Sequence, residues 1–332
     1  MIPVRAYERG YSIDTWQPSA QPKELQMRAE LLAYLRTFFA EQSVLEVDPP
    51  SLATTSVTDL NIASIKAQMG RTSGYLQTSP EFFMKRMLAS GLGDIYYLGK
   101  AFRDAEQGSR HNPEFTLLEW YRVGCDEYQL MAEVESLICG AFNRLINSKL
   151  IVARTSYGDC FEKSLQLDPH TASLESLQIT AVNQGYKEWA NETRANCLDL
   201  LFSEVVEPSL PKGLLFIYDY PACQAALAQT YKDEKGRLVS RRFEAFLDAV
   251  ELANGYFELR DAQQQSQRFN EDIILRKRAK KPVMAIDRNL DQAMQAGLPS
   301  CSGVALGVDR LLMRLCGVSS INEVLAFPWE RC

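Results

Sequence analysis

The sequence predicts an α+β fold, a mainly antiparallel sheet with helices packed against its face. Three observations predict it. Strand-like runs cluster as hairpin neighbours and do not alternate strictly with helical stretches, which argues against a doubly wound parallel sheet. Asn254-Gly255 lies between apolar runs in ELANGYFEL, the strongest short-range hairpin signal. The runs DIYYLGKAFR and FTLLEWYR flank a polar loop from Asp104 to Glu114, as paired strands around a long loop would.

The elements follow in order. PKELQMRAELLAYLRTFFAEQ, 22–42, carries apolar residues at 25, 32, 35 and 39 with a proline in the first turn, an amphipathic helix. SVLEVDPPSL alternates briefly and stops at a double proline, a short strand with a forced break. Further strands are expected at GYLQTS, DIYYLGKAFR, EFTLLEWYRV, LLFIYDY, FEAFLDAVELA, GYFELRD and CSGVALGV. Helical patterns fill 126–147, 172–186, 193–205, 262–280, 289–296 and 308–316. The organisation that results is an extension over 1–21 and one domain over 22–330, with a helical insertion at about 150–210.

Composition excludes several kinds of chemistry. The 332 residues are 46% hydrophobic and 23% charged, which suits a globular chain with a substantial core. The N-terminal stretch has no continuous apolar segment and no run is long enough to span a membrane, so a soluble cytoplasmic protein is expected. Eight cysteines never form C-x-x-C and read as reduced core thiols. Two histidines leave little for a Ser-His-Asp triad or a multi-histidine metal site. Chemistry must therefore come from carboxylates, arginines and backbone. Net charge is −6, and the one dense basic run, LRKRAKK at 275–281, reads as a solvated helix end near the C-terminal dipole. No basic domain of the kind that grips RNA unaided is apparent.

Three constellations stand out. Glu119 and Tyr121 lie at i and i+2 on one strand face, with Arg103 closing the partner strand. A carboxylate, a phenol and an arginine on one surface would hold an amine at one end and an anion at the other, or form a salt-bridged sheet face. Second, if Asn254 and Gly255 form the turn, Glu251 opposes Glu258. That like-charged pair is tolerable with Mg²⁺ or a substrate amine beside it, or if both face water. Third, Gly303, Ala305 and Gly307 are small and alternate on one face, so a ligand or a packed helix must approach the backbone. Asp309 can cap the next helix, with Arg310 in its first turn.

Together these strips resemble the catalytic core of class II aminoacyl-tRNA synthetases, most closely the lysyl branch. VLEVDPPSL is similar to the first motif of that class, FRDAEQGSRHNPEFTLLEWY to the second and GVALGVDRLLM to the third. TSPEFFMKRML and ELANGYFELRDAQQQSQRF match lysyl-type segments. The resemblance spans about residues 22 to 330 and implies a mainly antiparallel sheet flanked by helices, in a homodimer built through the first motif. It implies that Arg103 holds the α-phosphate of ATP and the substrate carboxylate, and Arg310 the γ-phosphate. Asp104, Ala105, His111, Asn112, Phe115, Leu252 and Gly307 would surround the nucleotide, and Glu251 with Glu244 would hold Mg²⁺. On a regular strand Glu244 and Glu251 would face opposite ways, seven residues apart. The resemblance further implies that Ser79, Pro80, Glu81, Glu119, Tyr121, Glu258 and Ala305 bind a diamino acid.

Lysyl-tRNA synthetases carry an anticodon-binding domain before the first motif, whereas 21 residues precede the first helix here. That architecture resembles the elongation factor P beta-lysine ligase family, which activates (R)-β-lysine as an adenylate and passes it to a lysine of elongation factor P. The resemblance makes tRNA an unexpected acceptor. Ala305 replaces a glycine of the lysyl motif, and its methyl would disfavour an α-amino group. One departure stands in the second motif, which usually reads Arg-x-Glu: here Arg103, Asp104 and Ala105 precede Glu106, so Asp104 or Glu106 must take the place of the acid. The alternatives are a lysyl-tRNA synthetase-like enzyme activating α-lysine, an amidating enzyme of the asparagine synthetase kind and a non-catalytic synthetase paralogue. An amidating enzyme would need a pocket for a substrate carboxylate, and this one is lined with acids.

Overall fold

The computed structural model describes residues 16–332, so most of the extension expected over 1–21 lies outside the described residues. Helix α1, Pro22–Glu41, starts on its proline and buries Leu31, Leu35 and Phe39. Leu32, expected on the buried stripe, is only partly covered. The short strands β1 (Leu45–Glu46) and β2 (Leu52–Ala53) flank the double proline. Then follow β3 (Lys66–Met69), β4 (Thr72–Leu76), α2 (Glu81–Ala89), β5 (Ile95–Phe102) and β6 (Glu114–Val123). Helix α3, Glu127–Ile146, opens on a capping box between Asp126 and Gln129.

After α3 come β7 (Val152–Ser156), α4 (Tyr157–Leu165), α5 (Leu174–Asn183), α6 (Arg194–Leu201) and β8 (Leu214–Pro221). The chain continues through β9 (Thr230–Lys232), β10 (Leu238–Leu247), β11 (Glu251–Phe257), α7 (Ala262–Arg278), α8 (Arg288–Gly297), β12 (Cys301–Gly307) and α9 (Val308–Cys316). The main sheet runs β1-β5-β6-β12-β11-β10-β8-β7, with β9 on β10. Among the described strands only β1–β5 and β7–β8 pair in parallel, so the expected antiparallel character holds. A separate sheet runs β2-β4-β3.

The hairpin inferred from Asn254-Gly255 forms elsewhere. The turn is Asp248–Ala249, both left-handed (φ 49° and 59°), closed by paired Leu247 and Val250 backbone bonds of 2.8 and 3.1 Å. Asn254 and Gly255 lie inside β11, paired with Glu244 and Phe243. Gly255 is small because the Phe243 ring crosses it: a Cβ would stand 2.5 Å from its Cζ. Glu251 therefore pairs with Phe246, not with Glu258.

The two faces of the sheet have different neighbours. One face buries Leu98, Leu118, Trp120, Val304, Leu306 and Phe243 against α1, α3 and α9. On the other face, Ile95, Tyr97, Tyr121 and Cys301 pack with Met84, Leu290 and Met294 of α2 and α8 at one end. At its far end Leu215, Ile217 and Phe246 pack with Phe161, Leu177 and Leu198 of the helices between β7 and β8. Between these two clusters this face carries Glu119, Gly303, Ala305, Asn254 and Glu244.

Two polar anchors also differ from expectation. Asp309 does not cap α9, which begins on Gly307. Its buried carboxylate accepts the Thr116 N–H at 2.6 Å and pairs with Arg28 of α1, tying α1, β6 and α9 together. Arg276, from the basic run, is not solvated: it is buried and donates to the carbonyls of Thr58 (3.0 Å) and Ile62 (2.8 Å), bracing the 56–64 segment. The cysteines are free, but Cys223 and Cys332 are exposed, outside any core. Replacing Asp309 by Ala should cost about 3–5 kcal/mol, since it strands the partly buried Arg28 charge. Urea denaturation should show this as a lowered midpoint at unchanged slope.

Candidate active site

Strand register assembles the site. Because cross-strand partners share a face, Tyr97, Glu119, Ala305, Asn254 and Glu244 form one row across five strands. Ile95, Tyr121, Gly303, Tyr256 and Arg242 form the next. Glu119 and Ala305, 186 positions apart in sequence (305 − 119), thus become neighbours.

One end of these rows is an acidic pocket. The buried Glu119 carboxylate accepts from Tyr121 Oη and Ser79 Oγ, both at 2.9 Å. Ser79 Oγ also accepts the Glu81 N–H at 3.1 Å, while Pro80 precedes α2 at its N-cap, so the turn into α2 presents Glu81 beside Glu119. Burial, reinforced by the charge of Glu81, pushes Glu119 up to about 8. Burial likewise raises Glu258, to about 7 against the opposing pull of Lys85. Tyr121 is held well above the ordinary phenol value, first by burial and then by Glu119. Gly303 makes this packing possible: a Cβ there would lie 2.3 Å from Tyr121 Cε1 and 2.6 Å from Glu258 Oε1. The object that approaches its backbone is the pocket wall itself. Around Gly307, by contrast, the nearest atoms within 4 Å belong to Arg310, at 3.7–3.9 Å.

The other end is cationic. Arg310, one turn into α9, donates to the Glu251 carbonyl (3.0 Å) and carboxylate (3.3 Å) and lies 2.6 Å from His111 Nε2. Burial and then the Arg310 charge lower the pKa of His111, so it serves as a neutral acceptor that steadies the guanidinium. Arg103 stacks over the Phe115 ring at 5.2 Å and meets Glu106 at 3.5 Å. The displaced acid of the second motif thus returns to Arg103. Ala105 takes up the extra residue by turning left-handed (φ 59°), its N–H bonded to Asp104 Oδ1 at 2.8 Å. The loop is also tied to the chain end: the Ser109 carbonyl accepts from Ile321 N–H at 2.7 Å and Asn112 Oδ1 from Trp329 N–H at 2.9 Å.

Most of the residues singled out from sequence come together on this face, with three qualifications. Asn112 spends both amide atoms on the protein, donating to the Glu114 carbonyl at 2.6 Å and accepting from Trp329. The Leu252 side chain is buried in the core, leaving its main chain as the part able to face a ligand. Glu244 and Glu251 sit on separate strands across a bulge in β10 and interact through charge, despite the odd spacing in sequence. Burial raises Glu244 to about 7, against the pull of its partner Arg242 and with the repulsion of Glu251. Among the described residues no group of three or more His, Cys, Asp or Glu gathers as a metal cluster. Two residues were missed. Asn254, misread as a turn, stands between Ala305 and Glu244 and donates to Tyr256 Oη at 3.0 Å. Lys85 is buried in the acidic pocket, and a single lysine in EFFMKRML gives no sequence signal for that.

Comparison with known proteins places the chain in a family. The family model of tRNA synthetases class II (D, K and N) matches residues 9–331. A Pseudoalteromonas translucida protein named "Elongation factor P--(R)-beta-lysine ligase" is 47% identical over 329 residues, 96% of this chain and 99% of its own. Proteins of the same name from Salmonella paratyphi B and Salmonella heidelberg are each 43% identical over 328 residues, 96% of this chain and 98% of their own.

The raised Glu119 gives a pH signature. At neutral pH its carboxyl holds a proton that a bound ammonium must expel, so affinity for a cationic ligand should rise as pH climbs towards about 8. Calorimetry in buffers of different ionisation heat should register net proton release at pH 7 and little above pH 8.

Proposed function

Because this chain belongs to the class II tRNA synthetases of the D, K and N group, and within them to the elongation factor P--(R)-beta-lysine ligase family, we propose that it activates (R)-β-lysine with ATP and transfers it to a lysine side chain of elongation factor P. The observation that carries this reading is the single strip with carboxylates at one end and paired arginines at the other.

Glu119, Glu81 and Glu258, with Tyr121 and Ser79, hold the two ammonium groups. Arg103 receives the substrate carboxylate and the α-phosphate, Phe115 and the loop at His111 flank the nucleotide, and Arg310 exchanges Glu251 for the γ-phosphate. A carboxylate oxygen attacks the α-phosphorus, the bond to the bridging oxygen breaks and pyrophosphate leaves. The arginines counter the charge that develops. The ε-amine of the acceptor lysine then attacks the carbonyl carbon, releasing AMP and leaving an amide.

The donors at Glu244 and Glu251 fit Mg²⁺: two carboxylates close enough to repel one another, next to the phosphate end. Bound there, Mg²⁺ would neutralise phosphate charge. A homodimer through the β1 edge, where Leu45 is exposed, belongs to the same reading. So does work in the cytoplasm on a protein acceptor, not tRNA; among the described residues no helix is long and apolar enough to cross a membrane.

Amino-acid-dependent ATP–pyrophosphate exchange should be fastest with (R)-β-lysine, and intact mass of elongation factor P should rise by one β-lysyl unit. Preference for α-lysine or aspartate, or no exchange at all, would sink the proposal. Arg310→Ala should slow exchange by about 10²–10³-fold. Ala305 lies between Glu119 and Asn254, so Ala305→Gly should shift the ratio of kcat/KM towards α-lysine by roughly 10-fold or more, the scale of one methyl in a pocket.

A further inference from the structure

A lysine without exposed surface needs an explanation, because an ammonium leaves water only at a large desolvation cost. Lys85, on the second turn of α2, is 0% exposed. Its Nζ lies 2.7 Å from Glu81 Oε1, one turn earlier, and 2.7 Å from Glu258 Oε2, which follows β11. Burial alone would lower the pKa of Lys85, but the two carboxylates outweigh it and keep the amine charged. Both partners belong to the acidic pocket. Each gives one oxygen to Lys85, and Glu258 turns the other, Oε1, over Gly303 beside the Tyr121 ring.

We propose that Lys85 is the positioning residue of the amine pocket: it aims Glu81 and Glu258 at the ligand and brings the formal charge of Glu81, Glu119 and Glu258 down from three negative charges to two, the complement of a substrate with two ammonium groups. The inference rests on the reading of this strip as a diamino-acid site. Three carboxylates without an internal cation would not all stay ionised at this spacing; one would take up a proton and cease to be an ammonium ligand. In the free pocket Glu119 carries that proton; Lys85 pulls Glu258 down, so that an arriving ammonium has the Glu119 proton to expel and no second one, and Lys85 stays outside the reaction because its close contacts are to protein carboxylates. An i, i+4 Glu-Lys pair on a helix surface would be worth little, but here the lysine end is wholly buried and is shared with buried Glu258 on the far side of the pocket.

The test is calorimetric binding of (R)-β-lysine and, separately, of ATP to the full chain between about pH 6.5 and 9, for the wild type and Lys85→Met. The variant should bind β-lysine about tenfold or more weakly near pH 7, the size expected when one partner of a buried ion pair is removed. The deficit should shrink as pH rises and the released carboxylates ionise, while ATP affinity stays within about twofold. A pH-independent loss, an equal loss for ATP or an unchanged β-lysine affinity overturns the role of Lys85 with the site reading intact. Failure of wild-type protein to bind any diamino acid overturns the site reading itself and the inference with it. If Lys85→Met does not fold, ¹⁵N-lysine-labelled wild-type protein carries the test. The slowly exchanging Lys85 ammonium signal should move on addition of β-lysine and not on addition of ATP, and a signal indifferent to β-lysine overturns the proposal.

Discussion

Everything at the site depends on the register of β6, β12 and β11. Side chains on a strand alternate with a period of two, so a slip of one residue would turn Glu119, Ala305 and Asn254 into the core and bring Leu118, Val304 and Ala253 to the surface. The hydrophobic face fixes that register, because Trp120, Leu118, Val304 and Leu306 fit only against α1, α3 and α9. The cluster under the sheet therefore sets the position of groups on the opposite side of it. Asp309 adds a polar lock, linking Arg28 of α1 to the backbone of β6 beside the third motif.

The site resolves a charge problem in two ways. In the half proposed to take phosphate, arginines are held by carboxylates: Arg310 by Glu251, Arg103 by Glu106, Arg110 by Glu207 at 3.9 Å. These pairs are partly exposed and cheap to open. In the half proposed to take amines the cation is wholly buried, Lys85 between Glu81 and Glu258, and only Glu81 keeps some exposed surface. Tyr256 joins the halves, feeling Arg242 and Glu244 on one side and Glu81 and Glu258 on the other. One end is built to exchange partners and the other to keep them.

How much of this was legible in the sequence follows from the range of the interactions. Glu119 and Tyr121, two residues apart on one strand, and the small-residue stripe Gly303, Ala305, Gly307 could be placed on a face from spacing alone. The sheet class followed from strand-like runs that cluster as hairpin neighbours. The short polar strands β3, β7 and β9 were missed, since they show little periodicity and are held by their neighbours, and helices α2 and α4 were missed because each is only nine residues long. Asn254-Gly255 misled because local turn preference was overridden by the need for a glycine under Phe243, while Asp-Ala made the turn. The pairing of Lys85 with Glu258 joins residues 173 positions apart (258 − 85), and no local pattern can announce it.

The bonds from Ser109 and Asn112 to Ile321 and Trp329 bind the 104–114 loop to the last turns of the chain. Such surface segments open well before a central sheet does. Loop and chain end then form one small cooperative unit, and under the role proposed for this loop its local melting, not that of the sheet, would limit the temperature at which nucleotide is held.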